Sequence, residues 1–244
     1  MPEPRQNRTP VLAAAIIVLL IIAGFVIAQA IGENEDPATI TSADESKAPA
    51  PPPGECVEPP APVAEPEQYS EAPDPSLAEG KVWTATVHTS CGDVVFELYG
   101  DKAPQTVSSF IFLARNDFWD KSPCHRLTTQ GIYVLQCGDP TGTGTGGPGY
   151  TYELENPPAD QTYPRGTLAM ARTMNPNSNG SQFFIVFDET KLPDPGYSIF
   201  GRVVEGMEIV DRVAEAGVSG GGGTGDGAPA QPISILDITV EKHP

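Results

Sequence analysis

The residues of this chain whose types and spacing could do chemistry fall in five short clusters. They are His125-Arg126, Gln136-Cys137-Gly138-Asp139, Gly166-Thr167-Leu168-Ala169-Met170-Ala171, the turn and strand from Asn175 through Ser181-Gln182-Phe183-Phe184-Ile185, and Phe200-Gly201-Arg202-Val203. Several reactions are excluded. His125 has no G-x-S-x-G elbow to serve, which rules out an acyl-transfer triad of that kind. The glycine run Gly142, Gly144, Gly146, Gly147 and Gly149 lacks the Gly-Lys-Ser/Thr of a phosphate cradle and reads as a rim loop. There is no C-x-x-C pair, and His88 and His243 have no partner at ligand spacing, so neither metal nor cofactor is expected. Glu153 and Glu155 read as solvated loop carboxylates.

In this order and at this spacing the five clusters resemble the cyclophilins, the peptidyl-prolyl cis/trans isomerases, over residues 81–241. The resemblance implies isomerisation of X-Pro bonds, which makes and breaks no covalent bond. The obstacle is amide resonance, a barrier of about 18–20 kcal/mol. A donor beside the prolyl nitrogen favours the twisted state, in which conjugation is lost. Arginine suits that role, because its charge is permanent and its donors form a rigid fork. The alternative is a peptide-binding or chaperone module that uses the same groove with negligible turnover. Arg126 separates the two, since a pure binder has little need of it.

Residue by residue, the resemblance assigns Arg126 as the catalytic arginine, Gln136 as the contact to substrate backbone and Phe184 as the floor of the proline pocket. Ala171 and Arg172 match the positions that bind peptide backbone, Arg172 standing where many relatives have Asn. Counting back from Gln136 puts Tyr133 and Val134 in the pocket, across an insertion near Thr128-Thr129-Gln130-Gly131. Leu192 falls where cyclosporin-sensitive members carry Trp, with Pro193 next to it in the pocket. Tyr197 falls where many have His. Leu192 offers an apolar wall but no donor, so weak cyclosporin binding is expected.

The elements that must position these residues begin at about residue 80. Trp83, Ala85 and Val87 alternate with polar residues, Ser90-Cys91-Gly92-Asp93 makes a turn, and Val94–Leu98 completes a hairpin. Pro104 suits a first helical turn, and Val107, Phe110, Ile111 and Ala114 recur at helical spacing. Strand-like runs follow at 132–136, 167–171, 182–187, 199–204 and 233–240. A second helix fits 205–215, with Met207, Val210, Val213 and Ala214 inward and Gly217 near its end. Short strands with two helices indicate a mainly β, barrel-like domain over 80–244. The resemblance specifies an eight-stranded antiparallel barrel capped by two helices.

Ahead of the domain the composition changes. Residues 1–10 carry Arg5 and Arg8, and Val11 to Ile31 hold no charge. That stretch is long enough to span a bilayer, and the flanking charges place residues 1–10 in the cytoplasm and the rest outside. A signal peptide cleaved near Ala30, giving a secreted form, is the competing reading. Residues 32–79 hold eleven prolines and one base, Lys47, against twelve acids. They are expected to be a disordered spacer. The net charge of −18 and the lack of a basic patch exclude nucleic acid as a partner. A monomer acting on proline-containing polypeptide clients is expected. Cys56, Cys91, Cys124 and Cys137 allow three full pairings, and the sequence does not choose among them.

Overall fold

The computed structural model describes residues 55–220 and 223–243. The arm 1–10 and the apolar span 11–31 lie outside the described residues. Among the described residues no helix is long and apolar enough to cross a membrane.

The strands are β1 Val82–Thr89, β2 Gly92–Tyr99, β3 Ser122–Pro123, β4 Arg126–Gln130, β5 Ile132–Cys137, β6 Thr162–Tyr163, β7 Thr167–Met170, β8 Phe183–Val186, β9 Thr190–Lys191, β10 Ile199–Glu205, β11 Val218–Ser219, β12 Asp226–Pro229 and β13 Ser234–Lys242. Eleven of them form one antiparallel sheet in the order β11-β12-β4-β5-β8-β7-β10-β2-β1-β13-β3, and β6 pairs with β9. The expected count of eight is therefore corrected to eleven. The additional strands β3, β11 and β12 are short and have no hydrophobic alternation of their own. Only Cys124 and His125 separate β3 from β4, yet β3 ends the ladder and β4 stands near its other end. A flat sheet cannot bring those places together, so the sheet curls around its own interior.

Two helices cover the curl, α1 Pro104–Arg115 and α2 Met207–Ala216. Pro104 opens α1, and Ala103 at its N-cap offers no side-chain bond. The carboxylate of Glu155 substitutes, accepting from the amides of Gln105 (3.1 Å) and Thr106 (2.7 Å). Glu155 is thus a helix cap, which the expectation of a solvated residue missed. In α2, Ile209, Val210 and Val213 are buried, while Met207 and Ala214 pack more loosely on the core. Phe96, Phe110, Trp119, Phe183 and Phe200 fill the interior, with Phe110 and Trp119 centroids 4.6 Å apart.

The disordered spacer expected over 32–79 is corrected over its described part, 55–79. This segment is a strap bound to the domain. Cys56 is disulfide-bonded to Cys91. Val57 N donates to Ser90 O (2.8 Å), Val63 N to Pro140 O (3.1 Å) and Tyr69 N to Pro148 O (2.8 Å). The Tyr69 ring meets Phe112 edge-on at 4.8 Å. A short 3-10 helix, Pro75–Ala78, ends at the fully buried Ala78, whose carbonyl accepts from Trp83 Nε1 at 2.9 Å. The few apolar side chains of the strap, Cys56, Tyr69, Ala72 and Leu77 among them, lie against the main core. The strap packs on its neighbour, and prolines leave it few amide donors to satisfy.

Candidate active site

The site is one rung of the curled sheet. Register sets Arg126 of β4 opposite Gln136 of β5, Gln136 opposite Phe184 of β8, and Phe184 opposite Ala169 of β7. Side chains alternate across a strand, so this rung faces one side of the sheet and its neighbours Leu127, Leu135, Ile185 and Leu168 face the interior. The β4–β5 hairpin turns at Gly131, whose φ of 77° suits a residue without Cβ. The insertion lengthens this hairpin and leaves Arg126 and Gln136 opposed.

A groove of about 450 Å³ opens over the rung. Val134, Phe184, Leu192 and Ile132 supply apolar lining, and Ala171, Arg172 and Tyr197 also border it. Phe184 is buried and meets the Tyr197 ring at 5.6 Å. Tyr197 is positioned by Tyr163, whose hydroxyl accepts from Tyr197 N (2.7 Å) and donates to Tyr197 O (3.2 Å).

The polar side of the groove is a relay of hydrogen bonds. Arg126 Nε and Nη2 donate to the two oxygens of Asp226, at 2.8 and 2.7 Å, and Nη1 donates to Gln136 Oε1 at 3.2 Å. Gln136 Nε2 donates to Gln182 Oε1 (2.9 Å). Gln182 Nε2 donates to the carbonyls of Gly144 (3.0 Å) and Gly146 (2.9 Å). A guanidinium has five N–H donors; with three hydrogen bonds made here, two remain for a substrate. The hydrogen bonds it donates to Asp226 hold Arg126 firmly in its charged form, and Arg126 in turn lowers the Asp226 carboxyl below its usual range. Burial pushes the adjacent His125 below the ordinary imidazole value, and the nearby Arg126 charge adds to this against Asp139. His125 is therefore neutral at neutral pH.

The Gly-rich loop is organised by Asp139. Its carboxylate accepts from Thr141 N and Oγ1, from Gly144 N at 2.7 Å and from Gly146 N at 3.0 Å. Beyond this loop lies a second groove of about 590 Å³ that shares Gln136, Ala171 and Arg172 with the first. Gln68 of the strap also lines it, donating to Gly147 O at 2.9 Å.

Of the ten expected site residues, eight line the first groove: Arg126, Gln136, Phe184, Val134, Ala171, Arg172, Leu192 and Tyr197. Tyr133 does not. Adjacent residues of a strand point to opposite faces, so Tyr133 and Val134 cannot both enter the groove. The Tyr133 ring meets Phe187 at 6.0 Å, and Ile132 lines the groove in its place. Pro193 is exposed and outside the lining, because Leu192 beside it turns inward. Asp226 and Gln182 were missed. Gln182 sits within a quoted cluster, and the need for a carboxylate partner to Arg126 was the available signal for Asp226.

The four cysteines pair as Cys56–Cys91 and Cys124–Cys137. The second bridge joins the residues that immediately precede His125-Arg126 and follow Gln136.

Known proteins similar to this chain share one family. A family model described as "Cyclophilin type peptidyl-prolyl cis-trans isomerase/CLD" matches residues 84–240. The "Probable peptidyl-prolyl cis-trans isomerase B" of Mycobacterium tuberculosis (strain ATCC 25618 / H37Rv) is 41% identical over 200 residues, covering 71% of this chain and 63% of that protein. The chain thus spans somewhat under two thirds of that relative. The "Peptidyl-prolyl cis-trans isomerase A" of the same strain is 38% identical over 174 residues, with 64% of this chain and 91% of that protein covered. A crystal structure of a Cryptosporidium parvum cyclophilin type peptidyl-prolyl cis-trans isomerase matches with a TM-score of 0.56 and 30% identity, covering 67% of this chain and 99% of that one. A second structure of that protein, in the presence of the dipeptide Ala-Pro, gives a TM-score of 0.54.

Proposed function

The chain belongs to the cyclophilin-type peptidyl-prolyl cis-trans isomerase family, and from that premise we propose that it catalyses cis/trans isomerisation of X-Pro bonds in exported or cell-envelope proteins. The reading is carried by the rung itself. An arginine with two unengaged N–H groups stands beside a buried phenylalanine that a proline ring can cover. In the planar ground state the prolyl nitrogen lone pair is delocalised into the carbonyl and accepts no hydrogen bond. In the twisted state it is localised, and an Arg126 N–H can bond to it. That bond exists only at the top of the barrier, which is where binding accelerates a reaction. Asp226 and Gln136 hold the fork from two sides, so little reorganisation accompanies the step.

The test is a protease-coupled proline-peptide assay on the full chain and on Arg126→Ala. The variant is expected to lose at least about tenfold in turnover, equal to roughly 1.4 kcal/mol of barrier, with little change in unfolding midpoint. Turnover unaffected by the substitution would sink the mechanism. Peptide binding without turnover in the wild type would favour the binding-module reading.

The outward location is part of the proposal. Two disulfides support an oxidising compartment, and the span 11–31 supports a membrane anchor with the domain outside. An intact Met1 or Pro2 start with membrane partitioning in the native host is the expected result. A soluble form starting at Ile31 would replace the anchor with secretion.

A further inference from the structure

The charge of the groove is opposite to that of the chain. The protein carries a formal −18, yet among the described residues the fully charged side chains lining either groove are Arg126, Arg172 and Asp226. Asp226 neutralises Arg126 through a bidentate ion pair at 2.7–2.8 Å. Arg172 has no such partner, making no ion pair among the described residues. Its Nε donates to Gly196 O and its Nη1 to Thr173 O, each at 2.8 Å. Its guanidinium lies 4.5 Å from the centre of the Tyr197 ring, which itself meets Phe184 in the groove floor. These contacts fix the group in place without cancelling its charge, and its Nη2 is left without a hydrogen bond among the described residues.

Position adds to charge. Arg172 lines both grooves, so a peptide running from one to the other along Ala171-Arg172 must pass it. The strap acids Glu65 and Glu67 precede Gln68 in the chain but are not among the residues lining either groove. We propose that Arg172 makes this site select X-Pro segments with a carboxylate side chain next to the proline, Glu or Asp at X. This rests on the isomerase reading and adds a substrate class to it. A carboxylate meeting a guanidinium whose desolvation is already shared with an aromatic face gains charge-assisted hydrogen bonds. A lysine at X meets like charge instead.

Exchange NMR measures enzyme-catalysed isomerisation of acetyl-Ala-Xaa-Pro-Phe-amide with Xaa as Glu, Gln or Lys, on the full chain. Gln is the neutral isostere of Glu, so the Glu:Gln ratio of kcat/KM isolates the charge. The wild type is expected to favour Glu by roughly threefold to tenfold, and to disfavour Lys. Arg172→Gln should bring the Glu:Gln ratio near one, and about 0.5 M salt should shrink it in the wild type. A wild-type ratio at or below one overturns the proposal. So does an unchanged ratio in Arg172→Gln, which would mark Arg172 as merely structural. If no peptide is turned over, the isomerase reading fails by itself. The same peptides titrated by chemical shift then decide the selectivity: tighter binding of Glu than Gln supports it, and equal binding overturns it.

Discussion

Strands β5, β7 and β8 carry two apolar clusters on opposite faces. On the inner face Leu135, Leu168, Phe183 and Ile185 join the main core; on the outer face Val134, Ala169, Phe184 and Val186 join Tyr163 and Leu192. Burial does not separate the two, since Phe183 is 1% exposed and Phe184 4%. What separates them is what lies beyond. The inner cluster meets helices and more core. The outer cluster meets the groove and the polar relay from Asp226 to Gln182. A binding floor in this fold is a second, smaller core left open on one side.

The sharpest way to break that comparison is to truncate neighbours on the two faces. Phe183→Ala leaves a closed cavity among packed rings and should cost about 3–5 kcal/mol of unfolding free energy in denaturant titration. Phe184→Ala opens its vacancy into the groove and should cost about 3 kcal/mol or less, with loss of isomerisation out of proportion to the lost stability. Equal destabilisation, or full activity in folded Phe184→Ala, would erase the distinction between core and floor.

The inner face can also be loosened from behind the site. Replacing both Cys124 and Cys137 by Ala removes a crosslink over a separation of 13 residues, and should cost about 3 kcal/mol by the chain-entropy estimate. Because each cysteine adjoins a groove residue, turnover measured well below the unfolding transition should fall as well. Unchanged turnover would show that β-pairing alone holds Arg126 opposite Gln136.

On the outer face, Leu192→Trp adds the N–H donor that the leucine lacks. Cyclosporin inhibition of peptide isomerisation should strengthen by about tenfold, or roughly 1.4 kcal/mol. No gain would displace Leu192 from its assigned place in the groove wall.

The smallest effect concerns the loop between the two grooves. Burial raises the Asp139 carboxyl, but the Thr141 hydroxyl and the amides of Gly146, Thr141 and Gly144 together hold it below the usual range. A carboxyl lowered in the folded state contributes stability that is present above its unfolded value, about 3.9. That contribution disappears as pH falls through the lower folded value. Thermal midpoints between about pH 5 and 2 should therefore decline more steeply for the wild type than for Asp139→Asn. Parallel curves would remove Asp139 from the account of loop order.

Much of this was legible beforehand. Alternation located the hairpin of β1 and β2, helical spacing located both helices, and strand-like runs of β-forming residues located β5, β7, β8, β10 and β13. The clusters around Arg126, Gln136 and Phe184 were legible through their order along the chain. Tyr133 failed because a count along the chain ignored the alternation that the same strand imposes. The strap failed because composition reports whether a segment can pack on itself, not whether a neighbouring surface will hold it.

Residue type and side-chain period placed the longer strands and both helices, and the resemblance of five short motifs to a family pointed to Arg126, Gln136 and Phe184. These are properties of short windows, where side-chain period and residue type act directly on the backbone. Only the tertiary structure decided that Asp226 holds Arg126, that Arg172 is left uncompensated, and how four cysteines divide into two bridges. Asp226 lies 100 residues from Arg126, in a glycine-rich stretch with no hydrophobic alternation. Its pairing with β4 follows from closure of the curled sheet, and closure depends on contacts between distant segments that leave no periodic trace in either one.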